Sequence, residues 1–421
     1  MSHPTSSTDD PAPQLDPGRV SLLRHRDFSL LFVGQAVSLL GDRLVMVAMP
    51  FAVLGLPGGS ASGVGIVLGA NALGFAVFVL VGGVVADRLP RQLTMLASDV
   101  VRAGMQALAA GLLISGHATV TSLALIQLLY GAAEAFFRPA VLGLVPQVIE
   151  PGEEQPANAL LAVSNNVAMV VGPAVAGVLV AWLGPGGALA VDAGTFVVSA
   201  LTLAALRPRP YVPGPAEGFR AEVAGGWREV RSRTWVWATL LAFTAYHALV
   251  LPAIFVLGPK VANDIRHGST SWGLISMGFG TGAVIGSVIA LRWKQPPRPG
   301  LLLGIALLAG SMQGAICAAP FATWVVAVLE AFAGIGVALC FTVWETALQQ
   351  RIPAVAQARV SSFDHLASVT LMPVGYALIG PAADSLGVRT ASVGATVITA
   401  GVVVAVLPAL RGLSGVPEAL P

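Results

Sequence analysis

The sequence predicts an all-α membrane protein with twelve transmembrane helices, arranged as two bundles of six. Of its 421 residues, 55% are hydrophobic and only 10% are charged, whereas soluble domains carry roughly 25% charged residues. A soluble fold of this size could not cover its surface with so few charges. The apolar segments reach the about 20 residues that cross a bilayer. Because backbone groups in hydrocarbon must be satisfied within a segment, these segments are expected to be helices.

The spans are separated by short clusters of Gly, Pro and Ser, such as 56–60 and 184–187, which are typical of turns. Cys317 and Cys340 lie inside apolar segments and are interpreted as small core residues. The candidate spans are 28–54, 62–86, 93–115, 121–147, 159–183, 187–206, 235–258, 271–292, 300–319, 322–349, 360–382 and 388–410.

Basic residues are unevenly divided between the two sets of alternating loops. One set holds most of them, whereas the other holds only Lys260, Arg266 and Arg389. Because cytoplasmic loops are enriched in Arg and Lys, both termini are expected in the cytoplasm. The bias toward Arg, Ala, Gly and Val is typical of a GC-rich bacterial genome, which predicts a multi-pass protein of a bacterial inner membrane.

The charge-rich stretch in the middle of the chain divides the spans six and six. Pro146 ends the fourth span much as Pro353 ends the tenth, which indicates duplicated halves. Residues 217–233 predict a charged helix at the membrane surface, with Phe219 and Trp227 as anchors. The predicted domains are a disordered cytoplasmic tail without a signal sequence (1–20), an N-terminal bundle (21–206), a cytoplasmic linker (207–234), a C-terminal bundle (235–411) and a second tail (412–421).

A charged turn joins the second and third spans, in the sequence Gly83-Val84-Val85-Ala86-Asp87-Arg88-Leu89-Pro90-Arg91. We expect it to act as a gating loop. The Asp87 carboxylate can accept hydrogen bonds from a helix N-terminus of the other half, and Arg88 and Arg91 can pair with acids across the interface. The alternative is that the basic residues only anchor the loop at the cytoplasmic face.

The fifth span carries a run of small residues around a proline, from Ala168 through Gly172 and Pro173 to Ala176 and Gly177. Small residues let helices approach closely, and proline bends a helix by removing one donor. The alternative is ordinary small-residue packing, which is also the interpretation of the glycines at 278, 280, 282 and 286 in the eighth span.

These two motifs resemble those of the major facilitator superfamily, whose loop pattern is Gly-x-x-x-Asp-Arg-x-Gly-Arg-Arg/Lys and whose exporter motif is Gly-x-x-x-Gly-Pro-x-x-Gly-Gly. Pro90 and Gln92 depart from the first pattern, and Ala168 and Ala176 from the second. Longer signatures, among them 34–42, 136–160 and 344–363, resemble the exporter branch that includes enterobactin and macrolide exporters. The resemblance implies alternating access, export of small organic molecules driven by protons, and a cavity lined by helices 1, 4, 7 and 10.

Ionisable residues embedded in the spans indicate where the mechanism lies, because each is costly in hydrocarbon. Glu134 and Arg138 have helical i, i+4 spacing and can neutralise each other, as can Asp99 and Arg102. The first candidate for proton coupling is Asp42, followed by Glu134 and Glu330, since a buried carboxylate can exchange protons. The alternative for Asp42 is a structural role, paired with an arginine of a neighbouring helix. Arg43, Arg138 and His247 are also embedded, and we interpret them as charge partners at the cavity. His247 is expected toward the outer end of its span. Asp192 is a further embedded acid.

The expected function is proton-coupled export of a small hydrophobic or amphipathic compound, such as a drug, a natural product or a siderophore. The alternatives are a proton-symport importer and a non-transporting membrane sensor. The sequence contains no nucleotide-binding loop, metal-ligand spacing or nucleophile constellation, so an enzyme, a cofactor, a metal and a nucleic-acid partner are not expected. The expected partners are the substrate, protons and the lipid bilayer, with the oligomeric state left open.

Overall fold

The computed structural model describes residues 22–86, 89–210, 227–292 and 298–414. In the first half, the helices are α1 (Arg26–Leu54), α2 (Ala61–Ala86), α3 (Arg91–Ile114), α4 (Val120–Val148) and the long element Glu154–Ala204, which Gly184 divides into α5 (154–183) and α6 (185–204).

The second half repeats this plan. Its helices are α7 (Thr234–Ile265), which contains two π-helical turns, α8 (Ser269–Arg292), α9 (Pro299–Ala318), α10 (Thr323–Arg351), α11 (Ala354–Thr370 continued by Met372–Leu386) and α12 (Val388–Leu410). The described residues form eleven helices that are long and apolar enough to cross a membrane. The longest has 51 residues, about 77 Å at 1.5 Å per residue, which is too long for one crossing. Counting it as two gives the twelve predicted spans.

The turn between α5 and α6 is shorter than predicted. The sequence predicts a break over residues 184–187, but only Gly184 leaves the helical conformation, with φ of 71°. Glycine adopts positive φ without a steric penalty, and Pro185 fits the first turn of the next helix because its fixed φ is helical. One residue is therefore enough to reverse the chain.

Large apolar side chains cover the outside of the bundle. Leu142, Leu291 and Val397 are 77%, 86% and 62% exposed, and such side chains recur along most helices. A surface of this kind is stable in lipid, whereas water would penalise it. The prediction of a multi-pass membrane protein is confirmed.

At one end of the bundle, arginine side chains donate to backbone carbonyl groups just after the ends of helices. Arg26 donates to the carbonyl oxygen of Ala205 at 3.1 Å, Arg351 donates to that of Gly412 at 3.3 Å, and Arg209 donates to that of Ile149. We call this the arginine-rich end. We call the other end the opposite end. Helices α2 and α8 begin there, and α5 and α11 end there.

Two pairs of helices make most of the contact between the halves, α2 with α11 and α5 with α8. The α5–α8 crossing is close because glycines face each other, with Gly177 against Gly273 and Ser269. Helix α2 packs along Met372–Leu386 but meets Ala354–Thr370 at few positions. Over the described residues, α2 and α11 are thus in contact at the opposite end and diverge toward the arginine-rich end.

The glycines of α8 are packing residues, as predicted. Gly278, Gly282 and Gly286 lie against the backbone of α10, and Gly280 lies against Met169 of α5. The first predicted tail, residues 415–421 of the second tail, Phe219 and most of the linker helix lie outside the described residues, whereas residues 412–414 belong to a short 3-10 helix, Arg411–Ser414. Within the linker, residues 227–232 are helical, and the Trp227 ring lies 5.9 Å from that of Phe363 on α11. A membrane-anchoring role for Trp227 stays a prediction.

Candidate functional site

A cavity of about 120 Å³ lies between the two halves. Its walls are mostly apolar and aromatic, with few polar groups. It is lined by Arg43, Met46 and Val47 of α1, Met169 and Pro173 of α5, Tyr246, Leu251, Ile254 and Phe255 of α7, Trp272, Ile275, Ser276 and Phe279 of α8, Gln313 and Cys317 of α9, and Glu330 of α10. An apolar pocket with a few converging polar groups is the usual form of a small-molecule site.

The helices around this cavity differ from those implied by the family resemblance. Helices 1, 7 and 10 contribute, as expected, but so do α5, α8 and α9, whereas no residue of α4 lines the cavity. The reason is the close approach of α5 to α8, which brings Pro173 and Trp272 into the wall between the halves.

Arg43 is the cationic group of the cavity wall. Its guanidinium makes two long contacts, 3.4 Å to the Asn165 side-chain oxygen and 3.7 Å to the Met46 sulfur. Its buried Nε atom has no hydrogen-bond partner among the described residues, nor does a carboxylate oxygen lie within 4 Å of Arg43 there. Arg43 therefore has donors to offer to a molecule in the cavity.

The predicted exporter motif touches this arginine. The stem of Arg43 lies directly over Gly172, so that a Cβ atom added at Gly172 would stand 2.6 Å from the Arg43 Cβ and Cγ atoms. Pro173 lines the cavity itself. Gly177, one turn further on, accepts a 3.0 Å hydrogen bond at its carbonyl oxygen from the Ser269 hydroxyl of the other half. The motif thus serves both the cavity and the contact between halves.

Glu330 lies on the opposite wall, 2% exposed and held by neutral groups. One carboxylate oxygen accepts a 2.9 Å hydrogen bond from the Gln313 amide, and the other lies 3.4 Å from the Cys317 sulfur. Tyr246 in turn donates to the Gln313 side-chain oxygen at 2.5 Å. No Lys, Arg or His nitrogen of the described residues lies within 4 Å of this acid.

Two acids of the first half, Asp42 and Asp99, pair with an arginine instead. Arg102 of α3 is 1% exposed and pairs with Asp99 and, at 3.6 Å, with Asp42. Tyr130 of α4 donates to the same Asp42 oxygen at 2.9 Å. The guanidinium also lies over the Phe137 ring at 4.2 Å, a favourable cation–π position. The sequence predicted the Asp99–Arg102 pair, and the partners of Asp42 come from neighbouring helices.

Two further acids of the first half stand apart from the cavity. Asp192 of α6 is fully buried and receives the Thr195 hydroxyl at 3.3 Å, close to Gly41 of α1. Glu134 pairs with Arg138 at 2.9 Å, as its spacing predicted. The Arg138 side chain is 65% exposed.

His247 lies near the middle of α7, not toward its outer end, because that helix continues to Ile265. Its Nδ1 atom lies 2.8 Å from the Phe243 carbonyl oxygen, so that nitrogen carries the hydrogen. The ring packs against Tyr246 at 5.5 Å and does not line the cavity.

The predicted gating loop is described only in part. Asp87 and Arg88 lie outside the described residues, and of Gly83 only the helical backbone is described. Arg91 donates to the Gly143 carbonyl oxygen at 2.5 Å, within its own half. Gln92, where a basic residue is usual, donates to the carbonyl oxygens of Leu203 in the last turn of α6 and of Leu206 just after it.

Sequence reasoning missed the neutral partners of Glu330. Tyr246, Gln313 and Cys317 lie in apolar spans. Of the three, Gln313 could have been noticed, because an amide side chain is unusual within an apolar helix such as α9. The described residues contain no group of three His, Cys, Asp or Glu side chains that could hold a metal ion.

Two similar six-helix halves around a central cavity define a polytopic membrane transporter rather than an enzyme. The chain belongs to the Major Facilitator Superfamily, which it matches over residues 31–375. The fold and family predicted from the sequence are confirmed.

Similar proteins support this assignment along most of the chain. The multidrug efflux pump Tap of Mycolicibacterium fortuitum is 26% identical over 389 residues, covering 89% of this chain and 93% of the pump. The enterobactin exporter EntS of Shigella boydii is 26% identical over 370 residues, covering 86% of each protein. A crystal structure of a bacterial homologue of the iron transporter ferroportin, in an inward-facing state, aligns with a TM-score of 0.69 and 17% identity over 91% of this chain and 98% of that one; it shares the fold.

Proposed function

We propose that this protein is a secondary transporter that exports a small amphipathic compound by alternating access, driven by protons. The observation that carries the proposal is the cavity between the halves, with Arg43 on one wall and Glu330 on the other. Relatives that match most of the chain are named as an efflux pump and an exporter, which supports export as the direction of transport.

We place the arginine-rich end in the cytoplasm of a bacterial inner membrane, because cytoplasmic loops carry the excess of Arg and Lys. On this orientation, the divergence of α2 from the first part of α11 corresponds to an inward-open state. The cavity could then receive its cargo from the cytoplasm or from the inner leaflet.

Glu330 replaces Asp42 as the first candidate for the coupled proton. It lines the cavity, and its described partners are neutral, so it can take up or release a proton without breaking an ion pair. Asp42 is engaged by Arg102 and Tyr130, which favours the structural role. Glu134 is paired with Arg138 and is the third candidate, after Glu330 and Asp42.

Arg43 is proposed to bind the polar group of the cargo. Its free donors call for an acceptor such as a carboxylate, phenolate or carbonyl oxygen, while the aromatic and Met side chains hold the apolar part. The cargo on this proposal is apolar over most of its surface and carries an acceptor at one end.

The proton gradient supplies enough energy for this work. One proton gains about 2.3 kcal/mol from 100 mV and about 1.4 kcal/mol from one pH unit. Together these support a substrate gradient of roughly 500-fold at one proton per molecule.

Transport in proteoliposomes with an imposed pH gradient tests the proposal. Using a carboxylate-bearing fluorescent compound and its methyl ester, the wild type should move both against their gradients, and Arg43→Gln should lose the carboxylate form selectively. In cells that lack their own pumps, expression should lower the intracellular amount of such a compound. Energy-dependent accumulation would instead establish the proton-symport importer, and tight binding without turnover would establish a sensor.

A further inference from the structure

A carboxylate of one half is bound to the first turn of a helix of the other half, at the opposite end of the bundle. Asp384, in the last turn of α11, accepts two hydrogen bonds from Ser62 of α2. The backbone N–H of Ser62 lies 3.1 Å from the Asp384 Oδ2 atom, and its hydroxyl lies 2.5 Å from the same atom. No basic nitrogen lies within 4 Å of Asp384 among the described residues.

This contact satisfies a group that the helix itself leaves free. Helix α2 begins at Ala61, and the first four N–H groups of a helix have no partner within it. The N-terminus also carries a partial positive charge, which favours an anion there. A charge-assisted hydrogen bond of this kind is roughly twice as strong as a neutral one.

Close packing holds the two helices at this point. A Cβ atom added at Gly380 would stand 2.5 Å from the Ala61 carbonyl oxygen and from the Ser62 Cα atom. Gly65, one turn further along α2, faces the backbone of Tyr376 in the same way. The carboxylate can therefore reach Ser62 only while these two surfaces are in contact.

The sequence around Asp384 repeats that of the charged turn after α2. Two segments share the pattern Gly-x-x-Ala-Asp-x-Leu: residues 380–386, which contain Asp384, and residues 83–89, which contain Asp87. Helix α11 ends within the first segment, at the opposite end, and α2 ends at Ala86 within the second, at the arginine-rich end.

We propose that Asp384 is a positioning residue for transport, which holds the opposite end closed by docking on the first turn of α2. The contact forms when the halves meet at that end and breaks when they separate there, so it favours the state open toward the arginine-rich end. This inference rests on the proposed alternating access, but it requires neither the proposed substrate nor the proposed proton site.

Sided accessibility of the cavity tests the inference without any substrate. Ser276 lines the cavity, so Ser276→Cys is introduced into a chain in which Cys317 and Cys340 are replaced by Ser. A membrane-impermeant maleimide is added to either face of sealed vesicles. The parent should be labelled mainly from the arginine-rich face, and Asp384→Ala should be labelled at least about tenfold faster from the opposite face, as expected for loss of a charge-assisted hydrogen bond.

Asp264→Asn is the matched control. Asp264 also lies at the opposite end, but its carboxylate pairs at 2.6 Å with Lys260 of its own helix, so its loss should leave labelling at the parent rates. If Asp384→Ala is labelled at parent rates from both faces, or if the control changes as much, Asp384 does not set the equilibrium between states.

A crosslink provides a test that does not depend on the folding of Asp384→Ala. In the same background, Ser62→Cys with Asp384→Cys should form a disulfide on oxidation. The disulfide should abolish labelling at position 276 from the opposite face, and reduction should restore it, with the labelled position read by mass spectrometry because the reduced thiols at 62 and 384 also react. Failure to crosslink in the folded protein would mean that the contact is not made in the membrane. If the crosslinking variant and the Ser276→Cys parent behave as expected but the wild type transports nothing in proteoliposomes, only the proposed function is refuted.

Discussion

The two halves of this protein treat their buried acids differently. In the first half, Asp42 of α1 and Asp99 of α3 both pair with Arg102 of α3. In the second half, Glu330 faces the cavity with an amide and a thiol as its partners. Breaking a buried ion pair leaves an uncompensated charge, whereas an acid among neutral partners can change its protonation at a smaller structural cost. The comparison assigns stability to the first cluster and coupling to the second.

The largest expected effect comes from removing the shared cation. Arg102→Met leaves two embedded carboxylates without their cation, so we expect a loss of about 3–5 kcal/mol in stability. Thermal unfolding of purified protein in detergent measures it. Arg138→Met is the control, because that side chain is largely exposed and an exposed pair contributes about 0.2–1 kcal/mol. Equal losses would mean that the Arg102 cluster has no special structural role.

Neutralising each acid in turn is the sharpest test of the comparison. Glu330→Gln keeps the side-chain volume but cannot carry the proton, so the steady-state gradient should fall from up to roughly 500-fold to about unity, while downhill exchange continues. Asp42→Asn should stay coupled and lose about 1–3 kcal/mol of stability. Flux in proteoliposomes at imposed pH gradients reads out both. An uncoupled Asp42→Asn beside a coupled Glu330→Gln would reverse the assignment.

A smaller effect should come from filling the space under Arg43. Gly172→Ala places a methyl group against the Arg43 stem, which should cost about 1–3 kcal/mol and reduce export by moving the guanidinium; Gly172→Leu should act in the same direction and more strongly. Gly194→Ala is the control, since nothing lies within 4 Å of a Cβ atom there. Export equal to the wild type in Gly172→Ala would leave only the ordinary packing interpretation of the motif.

The smallest effects are expected at the two tyrosine hydroxyl groups. Tyr130→Phe removes the hydrogen bond to the Asp42 carboxylate, which contributes about 1.5 kcal/mol, and Tyr246→Phe removes the one to Gln313, which contributes about 1 kcal/mol. Only Tyr246→Phe should shift the pH dependence of efflux, because Gln313 orients the Glu330 carboxylate. The same shift in both variants would place both acids in the proton path.

Local sequence determined the number of spans and the family. Both depend on runs of neighbouring residues: about 20 apolar residues predict a span, and the spacing of Gly172, Pro173 and Gly177 survives in any arrangement of helices. The pairs Glu134–Arg138 and Asp99–Arg102 were also predictable, since helical spacing alone brings their side chains together.

Only the tertiary structure decided which helices meet and which acid has a cation. Arg102 reaches Asp42 across two helices, Gln313 reaches Glu330 from α9 to α10, and Asp384 reaches Ser62 across the two halves. These partners are far apart in the chain, and helical periodicity cannot say which face of one helix meets another. In spans that are apolar on all sides, that choice is made by the small residues that allow close crossings, such as Gly177 and Gly380. The chemistry of the embedded acids therefore depends on packing that no single segment encodes.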